Sequence, residues 1–308
     1  MITILMATYN GAAYLVEQLD SLLHQTRRPD RIIIHDDQST DSTFEILTDY
    51  QSRHPDLIQV RRNEHNSGGS AANFMAMMTQ RRDDYIMLCD QDDVWLPDKI
   101  ELSYAKITAM EAQWGQSTPA LMHTDLTIVD QSLRPTAASF KTSTFADYDR
   151  TTLRDQIIQN TATGCTIMYN RALADLITVV PRHMVMHDWW ISLIAAAFGH
   201  MDHIDDCTIL YRQHRQNQVG ATDMRRLSYK LRRLIAPAGV RTDIAKTYPQ
   251  AREFAAVFAD RLTKAQKDLL AQYCAIPSLG KVRRVAQVIR LGMWKTGFSR
   301  NVAYLLFI

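Results

Sequence analysis

The sequence predicts an α/β protein, a mostly parallel sheet flanked by helices, followed by a basic helical C-terminal region. Three observations carry this expectation. Over residues 1–100, short apolar runs alternate with stretches of helical period, the pattern of a parallel sheet with helices on both faces. Charge is divided unevenly: residues 221–308 hold 17 Lys+Arg against 5 Asp+Glu, a net +12, whereas residues 1–220 hold 18 against 28, a net −10. The 308 residues are 46% hydrophobic and 22% charged, which excludes disordered, collagen-like and transmembrane chains. That length suits a domain of roughly 200 residues plus a smaller unit, with the boundary expected between 1–220 and 221–308.

The elements follow in order. Residues 2–7 (ITILMA) read as a buried strand, and 12–25 as a helix with Leu15, Leu19, Leu22 and Leu23 on one face. Residues 31–35 form a second strand running into the polar turn 36–41, whose Ser and Asp residues are N-cap candidates for a helix at 42–53. A third strand at 57–60, a Gly-containing loop at 63–70, a helix at 71–80 and a fourth strand at 85–89 complete the alternation. The middle predicts a strand at 120–129, a Ser/Thr-rich loop at 135–150, a short helix at 152–160, a strand at 166–169 and a helix at 171–179. An apolar helix at 189–198 and a closing strand at 207–211 follow. Beyond Gly220 the pattern is helical and basic at 223–235, 249–274 and 279–296, broken near 237–239 and at Pro277.

Cys89, Cys165, Cys207 and Cys274 lie far apart with no C-x-x-C pair, which argues against a disulfide framework or zinc knuckle and for a reducing compartment. The N-terminus lacks the basic flank and cleavage site of a signal peptide. No apolar run approaches the ~20 residues of a spanning helix. A cytoplasmic protein is expected.

Ligands of such sheets bind beyond the carboxyl ends of the strands, and the polar clusters stand there: Thr8-Tyr9-Asn10, Asp36-Asp37 and Asp90-Gln91-Asp92-Asp93. Three carboxylates directly after a buried strand repel one another and raise their own pKa values. A hard divalent cation, Mg²⁺ or Mn²⁺, resolves this and keeps sites for substrate phosphates; a solvated turn capping the next helix is the plain alternative. One carboxylate of Asp36-Asp37 could accept the N3–H of a uracil or thymine ring framed by Thr8 and Tyr9, against ordinary turn and capping chemistry. With neither a P-loop lysine motif nor G-x-G-x-x-G, the chain advertises no ATP or dinucleotide site.

Met6-Ala7-Thr8-Tyr9-Asn10-Gly11, Asp36-Asp37-Gln38-Ser39-Thr40-Asp41 and Asp90-Gln91-Asp92-Asp93 resemble, in order and spacing, the motifs of family 2 glycosyltransferases, inverting enzymes of the GT-A fold that use nucleotide sugars. The resemblance covers about residues 1–220. Cys89 to Trp95, and Tyr211-Arg212-Gln213-His214 followed by Asn217, look most like the bacterial rhamnosyltransferase branch, which builds cell-wall or capsular polysaccharide from dTDP-L-rhamnose. The resemblance implies that Thr8, Tyr9 and Asp37 hold base and ribose, with Asn10 beside them. It also implies that Asn66, Gly68 and Asn73 touch the nucleotide sugar, and that Asp92 is the main metal ligand with Asp90 close to the nucleotide and Asp93 a neighbour. Asp188, in Met186-His187-Asp188-Trp189-Trp190, takes the role of catalytic base, with His187 where the family usually has Glu. The processive signature Q-x-x-R-W is missing, which implies addition of one or a few sugars.

The chemistry suits these residue types. A base must take the acceptor hydroxyl proton, for which Asp188 is the candidate and N-capping its alternative. The leaving diphosphate must be neutralised by the metal, and Arg212 or His214 could assist; His214 is also a candidate metal ligand. Thr163-Gly164-Cys165 is expected on the acceptor side. Residues 200–206 are expected to be a polar approach to the last strand, not a metal cluster. Trp189 and Trp190 suit either sugar stacking or the core.

In the tail, Arg225, Arg226, Lys230, Arg232 and Arg233, then Lys281, Arg283, Arg284 and Arg290, interleave with apolar residues at helical spacing. Such helices suit an anionic membrane surface, at ~1 kcal/mol per cation, or pack on the domain as solvated helices; no nucleic-acid signature accompanies them. A glycan or polyprenyl-linked acceptor would make peripheral attachment to the inner membrane face useful. Alternatives are a UDP-hexose donor on the same fold, a sugar nucleotidyltransferase, or a non-catalytic scaffold.

Overall fold

Strand β1 (Ile2–Thr8) is buried along its whole length, and its alternation divides the core. Leu5 and Ala7 join one apolar cluster while Ile2, Ile4 and Met6 join the other, as a period of two requires of a strand covered on both faces. The computed structural model describes residues 1–214 and 237–308. The expected helix 223–235, its five basic residues and Asn217 lie outside the described residues.

Around β1 the chain lays down α1 (Leu15–Leu23), β2 (Arg31–Asp36), α2 (Thr43–Arg53), β3 (Ile58–Arg62), α3 (Ser70–Thr79) and β4 (Tyr85–Cys89). Leu15, Leu19 and Leu22 bury one stripe of α1. β1, β2, β3 and β4 are mutually parallel, with Thr8 beside Asp36, Asp36 beside Arg62 and Met6 beside Cys89. Their carboxyl ends therefore share one edge.

The remaining strands are β5 (Val94–Trp95), β6 (Ala120–Val129), β7 (Pro135–Ala137), β8 (Ile167–Asn170) and β9 (His200–Arg212). The sheet order is β3-β2-β1-β4-β8-β6-β9-β5, with β7 beside β6. The sheet is thus mixed: β8 runs antiparallel to β4 and β6, and β5 antiparallel to β9. After β6 the chain turns back as β7 along the end of β6, then passes through α5 (Phe140–Thr144) and α6 (Leu153–Ile158) before β8 enters between β4 and β6, running opposite to both. The expected loop 135–150 contains β7 and α5. The expected helix 171–179 shortens to α7 (Arg171–Ala174).

β9 is the largest departure. Residues 200–206, expected as an approach, belong to a 13-residue strand parallel to β6, with a register shift between His123 and Asp125 opposite His203 and Cys207. Lys106 pairs with Asp202 at 2.6 Å and Lys141 with Asp205 at 2.5 Å, so their charges are compensated in place.

The tail forms helices Pro237–Ala245, Thr247–Val257, Lys264–Cys274, Lys281–Leu291 and Phe298–Phe307. The long helix expected at 249–274 is broken between Val257 and Lys264, where Thr263 opens a capping box with Gln266. Phe254 and Phe258 pack on Trp190 of α8 (His187–Phe198), with ring centroids 5.5 and 6.4 Å away. Val240, Tyr248, Leu270 and Val288 belong to the same apolar cluster as Leu5 and Phe74. Among the described residues no helix is long and apolar enough to cross a membrane.

Candidate active site

The loops at the carboxyl edge are tied to each other by side chains. Asn10, in a left-handed conformation (φ 48°) that asparagine tolerates, donates its N–H to Ser39 Oγ at 2.9 Å and accepts the N–H of Thr40 on Oδ1 at 2.8 Å. Tyr9 is joined to the fourth-strand loop by Gln91, whose Oε1 accepts the Tyr9 N–H at 2.8 Å and whose Nε2 donates to the Tyr9 carbonyl at 3.0 Å. Gln91 was missed as a fastener by sequence reasoning, because only the fold brings two residues 82 apart together. Gly11 leaves room for it: a Cβ there would lie 2.3 Å from Gln91 Oε1 and displace the amide from Tyr9.

Of the two aspartates after β2, Asp36 is structural. It is fully buried, accepts the Thr8 hydroxyl at 3.2 Å and the Ser39 N–H at 3.1 Å, and faces Arg62 at 3.6 Å. The buried Thr8 hydroxyl, expected at the base, is therefore directed to Asp36, and half-exposed Tyr9 is the residue of that pair that presents a ring to solvent. Asp37 accepts from Asn63 Nδ2 at 2.8 Å, from the Ser67 N–H at 2.8 Å and from the Ser67 hydroxyl at 2.7 Å. Asn66 donates to the Asp37 carbonyl and accepts from the Gly68 N–H. Asn73, 1% exposed, donates to the His35 carbonyl and accepts from Asn63. Asp37, Asn66, Gly68 and Asn73 thus form one network, in which Asn73 shapes the loop from inside.

The acidic loop after β4 stands against the start of α8. Burial, then the neighbouring carboxylates of Asp92 and Asp188, push Asp90 up to about 7. Asp188 is pushed up to about 6 by burial, against hydrogen bonds that favour its charge: Trp189 N–H donates to Oδ1 at 2.7 Å and Gly164 N–H to Oδ2 at 3.1 Å. Asp188 sits inside the first turn of α8, whose N-cap is Met186. Asp92 Oδ2 lies 2.8 Å from His214 Nε2. Asp92 and His214 are therefore in direct contact, and Asp188 is tied to Gly164, next to Cys165, which packs against Asp90.

Arg212 corrects an expectation. It is 2% exposed and bonded throughout: its N–H to Asp93 Oδ1 at 3.0 Å, Nε to the Asp92 carbonyl at 2.8 Å, Nη1 to the Gln131 carbonyl at 2.6 Å and Nη2 to Glu17. Its guanidinium braces the acidic loop, with donors taken up by the Asp92 and Gln131 carbonyls and by Glu17. Asp93 is also internal, beside the fully buried Lys99 ammonium, which makes no hydrogen bond among the described residues and is pulled down to about 8 by burial. Cys165, expected towards the acceptor, is buried against Asp90 and Asp93, with ligand-capable atoms of all three within 4.8 Å of one another. Burial and those carboxylates push its thiol far up, so it is no nucleophile. Trp190 is core, and Trp189 donates its indole N–H to the Gln156 carbonyl at 2.5 Å.

The donor set fits a hard divalent ion. Among the described residues the ligand-capable atoms that gather within 4.8 Å of one another are those of Asp90, Asp93 and Cys165, with Asp92 paired to His214 on the same loop; carboxylate oxygens suit such an ion, and the buried Lys99 offsets charge on the Asp93 side.

The sequence model for glycosyl transferase family 2 matches residues 3–178. Among curated proteins, the chain is 28% identical over 254 residues to the dTDP-rhamnosyl transferase RfbG of Shigella flexneri, covering 78% of this chain and 82% of that one. Among solved structures it is similar to S. aureus TarS in complex with UDP-GlcNAc, with a TM-score of 0.56, 16% identity, and coverage of 99% and 89%. It is also similar to the mannosyltransferase PcManGT of Pyrobaculum calidifontis with GDP-Man and Mn²⁺, with a TM-score of 0.53, 14% identity, and coverage of 99% and 86%. The mixed sheet is that of GT-A glycosyltransferases, and with the family model spanning more than half its length, this chain belongs to glycosyl transferase family 2.

Proposed function

We propose that this glycosyltransferase moves L-rhamnose from dTDP-L-rhamnose, with inversion, onto a cell-wall or capsular polysaccharide or a lipid-linked glycan. The observation that carries the mechanism is the link between Asp188 and the acidic loop through residues 164 and 165: the Gly164 N–H donates to Asp188 at 3.1 Å, and the Cys165 sulfur lies within 4.8 Å of the Asp90 carboxylate. It sets a base beside the groups that would hold the donor diphosphate. Asp188 accepts the acceptor hydroxyl proton as the oxygen attacks the anomeric carbon. A carboxylate raised to about 6 is still ionised at neutral pH, yet more basic than an exposed one. The Gly164 and Trp189 N–H groups fix its orientation. Tyr9, Asn10 and the Asp37 network border the base and ribose; Asp90, Asp92 and His214 would hold Mg²⁺ or Mn²⁺. Bound there, the ion neutralises charge on the departing dTDP.

The rhamnosyl donor is supported by the Shigella flexneri relative, a dTDP-rhamnosyl transferase. A UDP-hexose is the second reading, favoured by the UDP-GlcNAc held by TarS. A membrane-linked acceptor and peripheral attachment at the inner face are supported by the basic C-terminal region. The test is release of dTDP from dTDP-L-rhamnose with Mn²⁺ and a membrane acceptor, beside a panel of UDP-sugars. Full transfer by Asp92→Ala and Asp188→Asn together would refute the mechanism, and preferential turnover of a UDP-sugar would refute the donor.

A further inference from the structure

Away from the active site, exposed apolar surface is unevenly spread. The four most exposed large apolar side chains among the described residues are Phe298 (86%), Val282 (82%), Leu306 (54%) and Ile289 (51%), and all stand in the last two helices. Along helix Lys281–Leu291, Val282, Ala286 and Ile289 follow at i, i+4 and i+7 and form one exposed stripe. Val288, on another side, is fully buried, and with Val285 and Leu291 it packs in the apolar cluster shared with the sheet. The helix is thus seated by one apolar face and presents a second one outward.

Positive charge accompanies the stripe. Arg283 and Arg290 are exposed beside it, and residues 269–308 hold six Lys and Arg and no Asp or Glu. Arg290 donates to Gln272 Oε1 at 2.8 Å, a neutral oxygen that leaves its charge in place. Lys281 Nζ donates to the Leu305 and Leu306 carbonyls at 2.7 Å each, which holds helix Phe298–Phe307 against the start of this one. A second copy of the chain would bring the same cations to a two-fold contact and be repelled. Residues 215–236 carry six Lys and Arg against one Asp, so charge sets them against this face as well. An anionic bilayer surface matches both properties: protruding apolar side chains enter the headgroup boundary while the cations meet phosphates.

We propose that helix Lys281–Leu291, with Phe298 beyond it, is the face by which the protein lies on an anionic membrane surface. Val282 and Ile289 enter the bilayer boundary, and Arg283 and Arg290 meet lipid phosphates. The inference deepens the reading of peripheral attachment, on which it rests, by naming the face.

The test is co-sedimentation of the full chain with vesicles of phosphatidylcholine alone or mixed with phosphatidylglycerol, in EDTA and without nucleotide sugar. The wild type is compared with the stripe variant Val282→Ser with Ile289→Ser, with Arg283→Gln, and with Val179→Ser with Val180→Ser, an equal loss of exposed apolar side chains outside the tail. All five positions are exposed, so the fold is kept, which unchanged melting temperatures check. Mixed vesicles are expected to capture the wild type and the Val179–Val180 variant alike, the stripe variant about tenfold more weakly and Arg283→Gln about fivefold more weakly, with little capture by neutral vesicles. Absence of any capture refutes attachment itself. Capture that the stripe variant leaves unchanged, or that the Val179–Val180 variant loses equally, refutes this face alone. Equal capture by neutral vesicles overturns the charge match, and a dimer in sedimentation velocity that the stripe variant dissolves assigns the face to a second copy instead. No donor, acceptor or turnover enters the measurement, so it can succeed where the rhamnosyl reading fails, and the reverse.

Discussion

At the scale of single residues, Asp188 as the proposed base sets the expected pH behaviour. Its carboxyl, raised to about 6, must be ionised to take a proton, so kcat/KM is expected to rise with pH through about 6 and level off above 7. A pH–rate profile checks this, and Asp188→Asn should lose roughly 10²–10⁴-fold in kcat at every pH. The acidic loop carries an opposite signature in stability. Asp90 and Asp188 have folded pKa values above their unfolded ones, so they stabilise the fold at low pH and that contribution is lost as pH rises through about 6 and about 7. Removing a neighbouring charge with Asp92→Asn should therefore stabilise the fold in EDTA at pH 7.5 by on the order of 1 kcal/mol, seen as a higher melting temperature, while abolishing transfer. Scanning calorimetry beside the activity assay distinguishes this from simple damage. Gly164 acts at the same scale. A Cβ there would stand 3.0 Å from His187 Nε2 and 3.6 Å from Asp188 Cβ, so Gly164→Ala is expected to lower kcat with little change in donor KM.

At the scale of elements, the site consists of loops held by strands that come late in the chain. β9 delivers Arg212 behind the acidic loop and His214 beside Asp92. Arg212→Lys keeps the charge but cannot reach the Asp92 carbonyl, the Gln131 carbonyl and Glu17 together. Mn²⁺ affinity, read by titration calorimetry, should weaken about 10–100-fold as for other groups that support a metal ligand. The strand motifs, the acidic loop and the position of the proposed base were legible because each needs particular residue types at a strand end or helix start. Arg212 was legible as important but not in its role, since a buried and an exposed arginine read alike in one dimension. Gln91 and Ser67 gave no signal, because what makes them matter is a partner far along the chain.

At the scale of the whole molecule, the tail helices and the sheet share an apolar cluster through Trp190, Phe254 and Phe258. Phe254 is fully buried, so Phe254→Ala should cost about 3–5 kcal/mol, and urea unfolding should show the loss in one transition for sheet and tail together. Buried histidines add a pH term of the opposite sign to that of the carboxyls. His35 is held near 4, and His123 and His187 near 3, chiefly by burial. Their stabilisation is complete above the unfolded value of about 6.5 and is lost as pH falls below it.

The sequence by itself determined the elements and the chemistry at their ends, because apolar period and polar punctuation are local properties. It also determined the family, through three motifs in order. Only the tertiary structure decided the direction of β8, the full length of β9, the buried bracing by Arg212 and the packing of the tail on α8. Each of these depends on which distant surfaces meet, and a side chain's burial and partners exist only once those surfaces have closed on it.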